Sequence, residues 1–215
     1  MKSFLQKIKW FVLPIFVLVS LQSCTKNVVN NLSTDETRMY VTQFDSTAQF
    51  NRYKTFSISD SITVIDNGQY YKTLTQTSQA FKDAIVKYMQ QRGYTLVNKS
   101  SSPDLGIDVS FINNSSTSVI DYSSYWDYYG GYWDPSYWGY GYGGYGYYYP
   151  DSYGYYQINQ QALSIDMLDL KNAAANNQIK IIWNGLIKGE GIDDATTADS
   201  QISTLFTQSP YLKAQ

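Results

Sequence analysis

Hydrophobic and polar positions follow two periods along this chain, one near 2 and one near 3.6, and the switches between them mark its elements. Residues 39–44 read as a short opening strand. Arg52-Tyr53-Lys54-Thr55-Phe56-Ser57-Ile58 alternates polar and apolar, the period of a half-buried strand. Residues 61–65 form a second short strand, and Asp66-Asn67-Gly68 is its turn. A helix follows. Ala80, Phe81, Ala84, Ile85, Tyr88 and Met89 recur at i, i+1, i+4, i+5, i+8 and i+9, which makes one continuous face. Thr77 or Ser78 caps its start, and Gly93 stands where a helix ends in the left-handed conformation.

Residues 94–97 are extended, and after Pro103 the run Leu105, Ile107, Val109, Phe111 alternates with Gly106, Asp108 and Ser110. Leu163, Ile165 and Met167 alternate again, continuing through Leu168 and Leu170. The Ala- and Asn-rich link 172–177 then leads into Ile179, Ile181 and Trp183, so these runs predict an antiparallel hairpin. Ala198, Ile202, Leu205 and Phe206 form the face of a last helix, stopped by Pro210. The expected fold is α+β: an antiparallel sheet with two helices packed on one face.

Residues 121–156 interrupt this pattern. The segment holds 15 of the 22 tyrosines and 8 of the 14 glycines, and with so few residue types it carries neither period over a useful length. It reads as a low-complexity, disordered insertion. Strands 105–111 and 163–170 carry their own alternation and are expected to pair whatever joins them. Deleting the insertion is therefore expected to leave the melting temperature unchanged or slightly raised. Three roles stay open for the segment. Tyr125, Trp126, Tyr132, Trp133, Tyr137 and Trp138 form a possible aromatic surface for stacking on a glycan or a partner. The same residue types favour a bilayer interface. The third reading is a tolerated loop.

The N-terminus has a different grammar. Lys2, Lys7 and Lys9 precede a mostly apolar stretch from Trp10 to Leu21, and no acid occurs before Asp35. That stretch is shorter than the about 20 apolar residues of a membrane helix and fits the apolar core of a cleaved secretory signal. It ends Leu21-Gln22-Ser23-Cys24, which resembles the lipobox of bacterial lipoproteins, with Gln22 larger than the usual small residue. On this reading residues 1–23 are removed, Cys24 takes the lipid, 24–39 is a tether and 40–212 is a single domain. A lipid anchor gains about 0.8 kcal/mol per buried methylene, so two or more chains hold it on a membrane. Thr25 is not the aspartate associated with inner-membrane retention, and no acidic run follows Cys24. The expected address is the periplasmic face of the outer membrane, ahead of the inner membrane or cell surface.

Charge and residue usage narrow the chemistry. Loss of the three signal lysines takes the net charge from −2 to −5, which argues against nucleic acid as a partner. There is no histidine, and Cys24 is the sole cysteine, so the common triads and zinc sites have no donors. No cofactor, metal or catalytic residue is assigned. Asp104 and Asp108 share a strand face but stand about 13 Å apart. Asp166 and Asp169 flank a strand end, where Asp169 with Asn172 caps the turn. Gly141-Tyr142-Gly143-Gly144-Tyr145-Gly146 spells G-x-G-x-x-G but neither closes a strand nor opens a helix, so it is no dinucleotide site.

Several runs, taken in order, resemble a known family. They are Phe50-Asn51-Arg52-Tyr53-Lys54-Thr55-Phe56, Arg92-Gly93-Tyr94, Pro103-Asp104-Leu105, Ile165-Asp166-Met167-Leu168-Asp169, Ile182-Trp183-Asn184-Gly185 and Phe206-Thr207-Gln208-Ser209-Pro210. They are similar to the bacterial lipoprotein family catalogued as domain of unknown function 4136, over roughly residues 40–212. The link 172–177 is longer than usual, and Asn184 takes a place often basic. The resemblance implies a lipid-anchored periplasmic α+β domain and supplies no activity. The expected function is a non-enzymatic scaffold or interaction module, bound to the membrane through Cys24 and meeting an envelope protein or glycan. The alternative is a carboxylate-dependent hydrolase or glycan-binding protein acting on cell-wall polymers.

Overall fold

The computed structural model describes residues 37–67, 69–113, 119–121, 135–140, 146–148, 155–157 and 161–215, all within the unit Thr34–Gln215. Its strands are β1 (Met39–Phe44), β2 (Thr55–Ile58), β3 (Ile62–Asp66), β4 (Gln69–Thr73), β5 (Thr95–Leu96), β6 (Leu105–Asn113), β7 (Val119–Asp121), β8 (Gly146–Tyr148), β9 (Tyr155–Gln157), β10 (Gln161–Asp169) and β11 (Gln178–Lys188). Its helices are α1 (Gln76–Gln91), the short α2 (Ala173–Asn176) and α3 (Ala198–Gln208). Among the described residues no helix is long and apolar enough to cross a membrane.

The class is α+β, and the sheet is mixed. Strands run in the order β1-β11-β10-β6-β2-β5. β6, β10 and β11 pair antiparallel, as the alternation of β6 and β10 and the hairpin pattern predict, and β1 lies antiparallel on β11. The main departure from a wholly antiparallel sheet lies on the other edge of β6. There β2 and β3 pair parallel with β6, end to end, and β5 pairs parallel with β2. A parallel pair needs a long crossover, and α1 supplies it between β3 and β6. Between Ile58↔Ile107 and Thr63↔Ser110 that edge advances five residues against three on β6, so 59–61 bulge outward. β4 pairs with β3 across the expected turn but was not predicted, because Gln69-Tyr70-Tyr71-Lys72-Thr73 has no alternation.

α1 begins a little earlier than its apolar face implies. Thr75 is the N-cap: its Oγ1 accepts from Ser78 N at 3.1 Å, while Ser78 Oγ accepts from Thr75 N at 2.6 Å. This reciprocal box satisfies two amides that the helix start leaves unpaired. Phe81, Ala84, Ile85 and Met89 of α1 and Ile202, Leu205 and Phe206 of α3 are buried in one core. The same core takes Leu105, Ile107 and Val109 of β6 and Leu163, Ile165 and Met167 of β10, the alternate residues of each strand. Arg92 closes the helix pair by donating from Nη2 to the Phe206 carbonyl at 2.6 Å.

The opposite parity builds a second core, which contains Ile65, Ile112, Ala162, Leu168, Leu170, Ile179, Ile181 and Leu186. One more member is Trp138, from within the segment read as an insertion, and it is 0% exposed. The expectation of a disordered insertion therefore fails for residues 135–140. The Trp138 indole lies over Gly106, where an added Cβ would meet its ring atoms at 3.0 Å. Gly139 adopts φ +80° beside the Ser100 backbone, a conformation side-chained residues avoid. Tyr140 Oη donates to the Pro103 carbonyl at 2.7 Å, and Ser102 Oγ to the Gly139 carbonyl at 3.2 Å. Within the same segment and just beyond its ends, β7 pairs with β9 and β8 pairs parallel with β11, although the Tyr/Gly repetition carries no strand period.

The burial of Trp138 argues against the expectation that 121–156 is dispensable. Trp138→Ala is expected to cost about 3–5 kcal/mol, roughly 6–20 °C of melting temperature at this size. Gly106→Ala should destabilise the parent by about 1–3 kcal/mol and do less once Trp138 is gone, because its two ring contacts are removed while Leu170 Cδ1, also at 3.0 Å, remains. Calorimetry on the four proteins of that cycle checks both. A Trp138→Ala protein melting within a degree of its parent would remove Trp138 from the core.

Candidate functional site

Cys24, Tyr125, Trp126, Tyr132 and Trp133 lie outside the described residues. Trp138 does not belong to an exposed aromatic surface, since its ring is spent on the second core. Tyr137 is half-buried: its hydroxyl accepts from Asp60 N at 2.8 Å, and Lys99 Nζ stands 4.1 Å from its ring centroid. Lys99 also pairs with the Asp60 carboxylate, which this bond holds below the usual carboxylate range. Tyr137 thus anchors the segment to the bulge of the β2–β3 edge.

Two cavities open elsewhere. One, of about 360 Å³, is lined by Asp45, Arg52, Tyr53, Asp169, Lys171 and Lys180 among others. Four of its charged groups, Asp45, Asp169, Lys171 and Lys180, already have partners. Asp45 accepts from Lys180 Nζ at 2.6 Å and from Thr47 N at 2.8 Å. Burial pushes Asp45 up, but these bonds outweigh it and its pKa falls. Asp169 accepts from Asn172 N at 3.0 Å and from Nδ2 at 2.8 Å, the predicted turn cap. Lys171 donates to the Arg52 carbonyl at 2.7 Å and pairs with Asp104 at 3.4 Å. The other cavity, about 310 Å³, lies between the β3–β4 hairpin and the start of α1. Two of its lining hydroxyls, Thr75 and Ser78, are held in the capping box.

The more unusual chemistry lies inside the sheet. On the face opposite α1 and α3 the register aligns Gln43, Asn184, Asp166 and Asp108 across β1, β11, β10 and β6. Beside that row, Ser164, Ser110 and Thr63 align across β10, β6 and β3. The alternation of β6 leaves Asp108 and Ser110 on the solvent side of a half-buried strand, yet both are 1% exposed, as are Ser164 and Asp166. Asn184 Nδ2 donates to Asp166 Oδ1 at 2.6 Å and to Ser164 Oγ at 2.9 Å. Asp108 Oδ1 accepts from Val109 N at 2.9 Å. Asn184 Oδ1, Ser110 Oγ and Gln43 Oε1 are buried with no hydrogen-bond partner among the described residues. Burial pushes the Asp166 carboxyl up to about 8, against the bond from Asn184 and aided by the charge of Asp108.

The carboxylate pairs weighed in the sequence, Asp104 with Asp108 and Asp166 with Asp169, were pairs along one strand. The pair the fold makes is Asp108 with Asp166, and no local spacing announces it. A signal existed: both are polar interruptions in strands expected to be neighbours.

A family model described as domain of unknown function (DUF4136) matches residues 40–211. The chain belongs to the DUF4136 family. A crystal structure of a DUF4136 family protein from Bacteroides thetaiotaomicron is similar at 29% identity and a TM-score of 0.65, covering 83% of this chain and 99% of that one. A PelC dodecamer from Paraburkholderia phytofirmans is similar at 10% identity and a TM-score of 0.40, over 83% of this chain and 99% of its own. A PDZ domain protein from Parabacteroides distasonis matches at 14% identity and a TM-score of 0.39, over 82% of this chain and 37% of its own. The last two likenesses are too weak to carry an argument. No curated protein matches the chain.

The Asp166 carboxyl gives this DUF4136 protein a pH signature. Its folded pKa stands above the unfolded value of 3.8, so the folded state holds the proton more tightly. The stabilisation is complete below about pH 4 and is lost as pH rises through about 8. Asp45, Asp60, Asp194 and Asp199 are shifted down and act only at acid pH. In chelator-containing buffer the urea midpoint should therefore fall between pH 5 and 8.5 in the parent, and stay nearly level in Asp166→Asn. Equal slopes in both proteins would clear Asp166 of the effect.

Proposed function

We propose that this DUF4136 protein is a lipid-anchored, non-enzymatic interaction module of the cell envelope, held through Cys24 at the periplasmic face of the outer membrane. The observation that carries the reading is the N-terminal run: a basic start, an apolar core too short to span and Leu21-Gln22-Ser23-Cys24, followed by a polar tether ahead of β1. Its partner is an envelope protein or a glycan, met by the aromatic segment around Tyr125, Trp126, Tyr132 and Trp133. Tyrosine and tryptophan offer large contact area at small entropic cost.

The non-enzymatic half of the reading rests on how the charged groups are used. Asp45, Asp169, Lys171 and Lys180 of the larger cavity are engaged in ion pairs and a turn cap. A wall hydrolase needs two carboxylates about 5–10 Å apart around a cleft. Asp108 and Asp166 favour that alternative by spacing, since they are direct cross-strand partners. They line neither of the two cavities described, and burial keeps both from a polymer.

Cys24→Ala should abolish incorporation of labelled palmitate and leave the protein unprocessed or released from the membrane fraction. Undiminished labelling would sink the anchor. Incubated with peptidoglycan, the mature protein should release no soluble fragments. Release that disappears in Asp108→Asn would replace this reading with the hydrolase.

A further inference from the structure

The buried polar band raises a question the proposed role does not answer: what two opposed carboxyl groups and the unsatisfied oxygens beside them are placed inside a sheet to hold. Among the described residues no three His, Cys, Asp or Glu side chains gather in one place. The band instead combines two carboxylates with neutral oxygens, namely the hydroxyls of Ser110 and Ser164 and the amide oxygen of Asn184. Two of those oxygens, Ser110 Oγ and Asn184 Oδ1, are fully buried and accept no hydrogen bond from the described residues. Leaving such a group unsatisfied costs about 1–3 kcal/mol.

From this arrangement we infer a calcium site on the sheet face opposite α1 and α3, formed by Asp108, Ser110, Ser164, Asp166 and Asn184. Asp108↔Asp166 and Ser110↔Ser164 are successive partner pairs on one face of β6 and β10. Such pairs mark out a rectangle of about 5 by 7 Å. An ion above its centre stands about 4–5 Å from each Cα, within reach of a short side chain plus a metal–oxygen bond. Asn184 approaches from β11, next to Asp166. Its Nδ2 now donates to Asp166 and Ser164, and a half-turn of the amide exchanges that donor for Oδ1.

The donor set selects the ion. All five donors are oxygens, with no imidazole or thiolate, which favours a hard cation over zinc or copper. Magnesium demands near-ideal octahedral geometry and holds on to its water, which a site this closed opposes. Calcium accepts six to eight oxygens at 2.3–2.6 Å in irregular geometry. With both ionised, Asp108 and Asp166 match its charge.

The test uses the mature lipidated protein in detergent, stripped with chelator and titrated with Ca²⁺ or Mg²⁺ while thermal unfolding is followed. Ca²⁺ at a hundred-fold over its Kd should raise the melting temperature by about 5–10 °C, and Mg²⁺ much less. Asp108→Asn and Asp166→Asn keep shape and remove charge, so both should fold in chelator and lose the Ca²⁺ shift. Isothermal titration should give one Ca²⁺ per parent chain and none in the double variant. No shift in the parent, an equal shift with Mg²⁺, or a shift retained in the double variant overturns the site.

Discussion

The register between β6 and β10 is the constraint on which the rest of the molecule depends. Nine partner pairs, from Gln161↔Asn113 to Asp169↔Leu105, fix which side chains reach which face. A slip of one residue would exchange the faces, sending Asp108, Ser110, Ser164 and Asp166 into the core that α1 and α3 cover. That core is apolar along these strands, with Ile107 and Val109 beside Ile165 and Leu163. The helices therefore enforce the register, and the register in turn assembles the polar band on the other face.

The far face is held differently along its length. At the Gly106 end a missing side chain and a large one complement each other. Trp138 fills the space a Cβ at Gly106 would take, with Leu170 at the same distance. Asp60 then ties that end to the helical side. Its amide donates to Tyr137, its carbonyl accepts from Lys82 Nζ at 2.6 Å, and its carboxylate pairs with Lys99. Lys82 stands on α1 and Lys99 in the turn before β6, so one outward bulge joins three separate pieces of chain. Loss of Tyr137 or Trp138 bears on the whole edge as well as on the segment that carries them.

Much of the fold was legible because its long elements have strong periods. The β10–β11 hairpin, the pairing of β6 with β10, the buried faces of α1 and α3 and the Asp169–Asn172 cap all follow from local pattern. What was illegible depends on partners distant in sequence. The parallel placement of β2 and β3 depends on the route of α1, which no alternation encodes. β4 has no alternation because its residues lie at the sheet's margin, exposed or half-exposed. Trp138 looked like one aromatic among many in a repetitive stretch, and only Gly106, 32 residues away, singles it out. Asp108 and Asp166 were each read against neighbours on their own strand, although the strands were expected to pair.

The polar band is the place where local rules and the global structure disagree most. Polar alternation on β6 and β10 is the pattern of a sheet with one wet face, yet these residues are buried. Replacing buried polar groups with apolar ones of similar shape is commonly neutral or stabilising. A chain shaped by stability alone has an easy route to Val, Leu or Ala at positions 108, 110, 164 and 166, as it already has at Ile112, Ala162 and Leu168 on the same face. Sequences that specify one structure tend to break their own rules where something besides stability is at stake. The apolar ends of this face close the fold, and the oxygen-rich middle is where that face departs from what folding alone requires.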